Sequence, residues 1–109
     1  MKSKSTVCDE RYKGYCFFCG RPVFGEEHHL LFGKGIRDKA DQDGLKVPIC
    51  DDCHTTGIKI ERIHDNPMAE KLSKMLGQMA YERNIIAEKG CSIEQAREYF
   101  RARYGKTYF

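Results

Sequence analysis

Leu45-Lys46-Val47-Pro48-Ile49-Cys50-Asp51-Asp52-Cys53-His54 is the stretch that decides how this chain is read. A short apolar run ends in a Cys-x-x-Cys knuckle, and a histidine follows the second thiol directly. Working back, a matching knuckle stands at Cys16 and Cys19, and an adjacent pair, His28-His29, lies between the two knuckles. Working forward, His64 comes ten residues after His54. All four histidines of the protein, and four of its six cysteines, fall in this one window. They are too many ligands for one tetrahedral zinc and enough for two metal sites.

The totals set limits on the rest. A chain of 109 residues has room for one domain. With 40% hydrophobic residues, 32% charged and no Trp, its core is modest, so a structural metal would matter. Structural zinc contributes roughly 10–16 kcal/mol of apparent binding energy in zinc-finger peptides. A net charge of +3 permits nucleic-acid binding, and a solvated, charge-balanced surface accounts for it equally well. Residues 1–6 carry no apolar stretch, so no secretory signal is read, and no run approaches the ~18 apolar residues of a membrane helix. The expectation is a cytoplasmic protein with no membrane partner, whose knuckles hold zinc rather than disulfides. Cys8 and Cys91 stand apart from the pattern and read as inert thiols.

Residues 1–10 read as a mobile tail and 11–109 as a single domain, with a zinc-braced core over 12–66 and a helical extension over 67–109. An aromatic-rich hairpin is expected over 12–24, around the first knuckle. A strand over 26–32 delivers His28-His29 near its end. Gly33-Lys34-Gly35 breaks it, and a polar loop runs to Gly44. A second strand over 45–49 has edge character because of Pro48. Asp51 or Asp52 caps a helical turn carrying Cys53 and His54, and 55–63 reads as a loop. Asn66-Pro67 starts a helix. Met68, Leu72, Met75, Leu76 and Met79 recur there at helical spacing, which predicts a stripe facing the core. Gly90 closes that helix. Ser92 with Gln95 forms a capping box for a last helix, striped by Ile93, Ala96, Phe100 and Tyr104 and ended by Gly105. The fold class is α+β.

Two knuckles make a four-cysteine zinc site from Cys16, Cys19, Cys50 and Cys53. Thirty residues separate Cys19 from Cys50. The metal therefore clamps the ends of an inserted hairpin, and that hairpin carries His28-His29. Histidine is the usual general base near neutral pH and a frequent transition-metal ligand. Neighbours in a strand point to opposite faces, so His28 and His29 can flank one site in different roles where the strand ends. The second knuckle fixes His54, and His64 precedes a helix start. All four histidines can then converge on one cleft.

The order strand, His-His, loop, strand, Cys-x-x-Cys-His resembles the HNH nucleases, the ββα-metal or His-Me finger family. It is most similar to small phage-type members braced by a four-cysteine treble-clef zinc, including RecA-dependent nucleases. The residues that carry the likeness are Cys16-Phe17-Phe18-Cys19, Glu27-His28-His29-Leu30-Leu31-Phe32-Gly33, and the stretch from Leu45 to His54, with His64 beyond. The resemblance implies a treble-clef ββα-metal finger followed by a pair of C-terminal helices. It implies hydrolysis of DNA phosphodiester bonds with His29 as general base. It assigns His28, His54 and His64 to a divalent ion (Mg2+, Mn2+ or another transition metal) beside a structural Zn2+ on the cysteines. DNA is the implied partner, with a phage or host recombination or packaging protein as a further one. The middle Asn of the HNH signature has no counterpart where Gly44, Leu45 and Lys46 stand, so either another backbone contact orients the loop that presents the base or the site is degenerate.

A nuclease must also hold phosphates. Lys34, Arg37 and Lys39 lie in the loop beside the expected cleft, with Lys46 on the following strand and Arg21 beside the first knuckle. Asp38, Asp41 and Asp43 weaken that field. Arg97, Arg101, Arg103 and Lys106 form a second basic set. The alternative reading is a treble-clef zinc module that binds nucleic acid or protein without catalysis. The four surplus histidines argue against it. A redox role for the knuckles lacks the surrounding βαβ pattern.

Overall fold

Two short strands carry the histidine pair and lead into the second knuckle in the computed structural model, which describes residues 4–108. Strand β1 (Glu27–His29) runs antiparallel to β2 (Lys46–Pro48), with His28 opposite Val47 and His29 opposite Lys46. Bonds from Leu30 N to Leu45 O (2.9 Å) and from Ile49 N to Glu26 O (3.2 Å) continue the pairing at both ends. Both strands fall inside the runs expected from the sequence. Leu30, Leu31, Leu45, Val47 and Ile49 are wholly buried around them, so the ribbon is fixed by burial rather than by its length.

The segment between the strands departs from expectation. Helix α1 (Arg37–Gln42) stands where the sequence predicts a polar loop. Its Asp-rich sequence has low helix propensity, and no side chain caps its start. Tertiary packing supplies what propensity lacks, because Ala40 is buried beside Leu31 and Leu45, with Ile36 against them. The described part of the expected tail makes contacts with the rest of the molecule. Thr6 N donates to Gly44 O at 2.8 Å, Ser5 Oγ to Lys46 O at 2.5 Å, and Arg83 and Asn84 reach Thr6 from across the molecule. Gly44 permits this docking: with φ +71, a Cβ there would meet Lys4 O at 2.4 Å. Residues 1–3 of that tail lie outside the described residues.

The first knuckle closes as a small hairpin, in which a Tyr15–Pro22 bridge is tightened by Cys16 N to Arg21 O at 2.8 Å. Phe17 N donates to Pro48 O at 2.9 Å and fastens this hairpin to the end of β2. Cys53 and His54 lie in a wide, π-type turn (Asp52–Thr56), and no aspartate side chain caps it.

Helix α2 (Pro67–Lys89) begins with Asn66 Oδ1 accepting from Ala69 N at 3.3 Å and ends at Gly90. Helix α3 (Ile93–Tyr104) begins with both bonds of the Ser92–Gln95 box and ends at Gly105, as expected. Ala96, Phe100 and Tyr104 are buried, and Ile93 is not. The methionine stripe is a larger correction. Met68 is 75% exposed, and Leu72 and Met79 are exposed too. The face of α2 turned inward holds Ser73, Gly77, Gln78, Ala80, Tyr81 and Glu82. Small residues win there because α2 lies against Leu30 and Leu31 so closely that a Cβ on Gly77 would meet Leu31 Cγ at 2.8 Å. The polar members are satisfied. Gln78 Nε2 donates to Glu82, Arg97 holds both oxygens of Glu82, and Tyr108 N donates to Gln78 Oε1.

The apolar residues form two clusters. One joins Leu31, Ala40, Leu45, Ala80, Tyr81, Phe100 and Tyr104 at the helical end. The other joins Val23, Ile49 and Ile63 with the knuckle cysteines. No helix among the described residues is long and apolar enough to cross a membrane.

Candidate metal centres and the His29 network

The ligand atoms of Cys16, Cys19, Cys50 and Cys53 all lie within 4.8 Å of one another. Cys19 Sγ and Cys50 Sγ are 3.6 Å apart, close to the ~3.8 Å edge of a tetrahedron with zinc–sulfur bonds of about 2.3 Å. Burial opposes ionisation of Cys16, but hydrogen bonds from the backbone of Cys19, Cys50 and Phe18, and from the Cys19 side chain, bring its thiol down to about 6. Cys53 is pushed the other way, by burial and then by the thiols of Cys50 and Cys19. Cys16 ionises readily while Cys50 and Cys53 are held protonated by burial and by their neighbouring thiols, a conflict that a divalent cation at the centre would resolve. The four residues therefore suit structural zinc. Cys8 and Cys91 are outside the cluster.

His28, His54 and His64 form the second group, again with ligand atoms within 4.8 Å. His54 and His64 are ten residues apart and share no helix. The chain returns on itself, with Ile63 N donating to Cys53 O (2.8 Å) and His64 N to His54 O (3.2 Å). Their Nε2 atoms then face each other at 3.0 Å, the separation of two nitrogens held about 2.1 Å from one ion at a right angle. His28 reaches the group from β1. Ser73 Oγ has one hydrogen and gives it to Leu30 O at 2.9 Å. The 2.8 Å contact between Ser73 Oγ and His28 Nε2 therefore has the imidazole N–H donating. That leaves the His28 Nδ1 lone pair for an ion. Glu70 Oε2 lies 3.6 Å from His64 Nδ1 and favours a hydrogen there, with Nε2 as ligand. Burial, then the neighbouring His54 and His64, push His28 down to about 3. Burial and His64 lower His54 in the same way. Neutral imidazole is the ligating form, so the site is prepared for a cation. Phe32 stands edge-on to His64, at 4.8 Å between ring centroids.

His29, the last residue of β1, turns to the other side and is only 6% exposed. Arg37 Nε donates to His29 Nδ1 at 3.3 Å, so Nδ1 carries no hydrogen and Nε2–H donates to Asp41 Oδ1 at 2.8 Å. Lys46 Nζ donates to the same carboxylate oxygen at 3.1 Å and lies 3.6 Å from Glu27. The hydrogen bonds from His29 and Lys46 hold Asp41 below the usual carboxylate range, against the effect of burial. His29 directly follows His28 in β1, so this network adjoins the histidine triad.

The expected phosphate contacts separate on the structure. Lys34 and Arg37 are exposed. Lys39 Nζ donates to Arg103 O at 3.0 Å, and Arg21 is paired with Asp52. Lys46 is a correction: it is 2% exposed, turned inward by the strand alternation that places it opposite His29, and bound to Asp41. Asp41, Ser73 and Glu70 were not singled out from the sequence. From the sequence Asp41 only weakens the basic field, because the helix that aims it at His29 is not legible there, and Ser73 carries no local signal.

Comparisons with protein-family models, with curated proteins and with solved structures find no match to this chain. What its own geometry defines is a small α+β protein with a two-stranded sheet and a four-cysteine group able to hold zinc.

Proposed function

We propose that this protein is a metal-dependent endonuclease of the HNH type, acting on the phosphodiester bonds of DNA, with its hairpin stapled by a treble-clef zinc on Cys16, Cys19, Cys50 and Cys53. The observation that carries the reading is the convergence of His28, His54 and His64, ligand atoms together, beside a fourth histidine held by a carboxylate. A zinc module with four thiolate ligands has no use for that arrangement. A divalent ion bound by the three histidines would supply Lewis-acid polarisation of the phosphate and stabilise the leaving 3′ oxygen. His29 takes a proton from the water that attacks phosphorus, and the bond to the 3′ oxygen breaks. Exposed Lys34 and Arg37 offer positive charge to the backbone.

Nicking of supercoiled plasmid with Mg2+, Mn2+, Ni2+ or EDTA tests the reading. Cleavage should require a divalent ion and fall by about 10²–10⁴-fold in zinc-loaded His29→Ala. A wild-type protein that binds one zinc, takes up no second ion and cleaves nothing would sink it. The exposed apolar side chains Phe17, Phe18, Ile60, Leu72 and Met79, which line one groove, would then favour the non-catalytic binding module.

A further inference from the structure

We propose that Asp41 is the positioning residue for His29, fixing its ring so that Nδ1 is the atom that takes the proton, and that Arg37 occupies the seat of the scissile phosphate. The inference rests on the nuclease reading and adds to it residues that the HNH pattern leaves without a role.

Its basis is the way one short helix brackets one ring. Arg37 and Asp41 stand four residues apart on α1, hence on one face. Each touches a different nitrogen of His29, Arg37 at Nδ1 (3.3 Å) and Asp41 at Nε2 (2.8 Å). An arginine only donates and an ionised carboxylate only accepts, so the two together admit one tautomer. Buried Lys46 holds Asp41 from a third direction, which keeps the carboxylate in place and charged. The chain has no asparagine before the second knuckle to orient the base, and this helix performs that task.

The two contacts are not equivalent. The Asp41 bond is short and made to a carboxylate only 21% exposed. The Arg37 bond is long, made to a neutral acceptor by an exposed side chain, and is the one that yields when water comes to Nδ1. A charge-assisted, two-point contact with a phosphate is stronger than the bond it replaces. Arg37 therefore leaves Nδ1 as the phosphate arrives, and the water enters between them.

Steady-state cleavage by zinc-loaded protein with Mn2+, compared across wild type, Asp41→Ala, Asp41→Asn and Arg37→Gln, tests this. Asp41→Ala should lower kcat by about 10–100-fold with KM little changed, as loss of an outer-shell partner does. Asp41→Asn keeps an oxygen acceptor and should recover part of the loss. Arg37→Gln should mainly raise KM and reduce the salt slope of DNA affinity by about one. The 15N spectrum of the histidine rings gives a readout independent of turnover, with wild-type His29 bearing hydrogen on Nε2 alone. Should Asp41→Ala fail to fold, Asp41→Asn and the wild-type spectrum still decide. An unchanged kcat in folded Asp41→Ala, or hydrogen on His29 Nδ1 in wild type, overturns the positioning role while His29-dependent cleavage stands. If wild type cleaves DNA with none of the divalent ions, the nuclease reading falls and the role of Asp41 with it.

Discussion

The four cysteines and the three histidines form two neighbouring ligand groups and are built in opposite ways. Each cysteine pair is a local object, a Cys-x-x-Cys turn closed by backbone bonds such as Gly20 N to Cys16 O and His54 N to Cys50 O. Little else holds that end, where the cluster beside the sulfurs consists of Val23, Ile49 and Ile63. The histidines come from a strand, a turn and a loop, and two of them, His28 and His64, face Ser73 and Glu70 of the long helix. That helix is anchored in the other, larger cluster. The lesson is a division of labour: an ion at the cysteines would make structure, and an ion at the histidines would find structure already made.

The sharpest way to break this contrast is to remove one ligand from each group. Cys50→Ser should cause the largest change, abolishing zinc retention and unfolding the knuckle end, because a contribution on the order of 10 kcal/mol exceeds what a small core can replace. Metal analysis with thermal melting followed by circular dichroism would show it. His54→Ala should retain zinc and melt within about 1 kcal/mol of wild type, yet lose uptake of a second ion. Cobalt substitution separates the two, since thiolate-to-cobalt absorption should survive in His54→Ala and vanish in Cys50→Ser. Equal damage from both variants would erase the distinction.

This contrast also explains what was legible in the sequence. The knuckles could be read because their spacing is local chemistry, and Asn66-Pro67 and Ser92–Gln95 because caps are local as well. Helix α1 was hidden because its stability comes from Ala40 and Ile36 packing on distant residues. The inward face of α2 was misjudged for the same reason. Apolar periodicity pointed to the methionines, but the close approach to Leu30 and Leu31 demanded glycine and serine. The inward turn of Lys46 depended on register, with an acidic partner delivered by a helix that was not foreseen.

If the histidine group takes its geometry from the helical core, disturbing the contact between them should loosen the second ion and spare the first. Gly77→Ala places a methyl 2.8 Å from Leu31 Cγ, an overpacking that should destabilise by about 1–3 kcal/mol and shift Ser73 relative to His28. Ser73→Ala is gentler. It frees the His28 ring and should weaken Mn2+ or Co2+ binding at the histidines by about 10–100-fold with zinc content unchanged. Calorimetric titration of the second ion into zinc-loaded variants checks both. Unchanged affinity in Ser73→Ala would mean that the ring is fixed without its outer partner.

The smallest effect isolates the helical end from either metal group. Tyr104 is buried and donates to Asp43 Oδ2 at 2.5 Å; burial, then that bond and the Asp43 charge, raise its pKa above the ordinary value of 10.0. The folded chain thus keeps a proton that the unfolded chain gives up near pH 10. Stability from this group is complete below that pH and declines above it, by about 1.4 kcal/mol per pH unit for one proton. Tyr81 and Tyr108 shift in the same direction and add to the wild-type slope. Tyr104→Phe should be less stable by about 1.5 kcal/mol between pH 7 and 9, where it lacks the bond to a charged acceptor. Its alkaline slope should be shallower by one proton, so the two curves approach each other about one unit above pH 10. Urea unfolding from pH 8 to 11 measures this directly. Parallel curves would place the proton elsewhere and leave the helical end without its own pH signature.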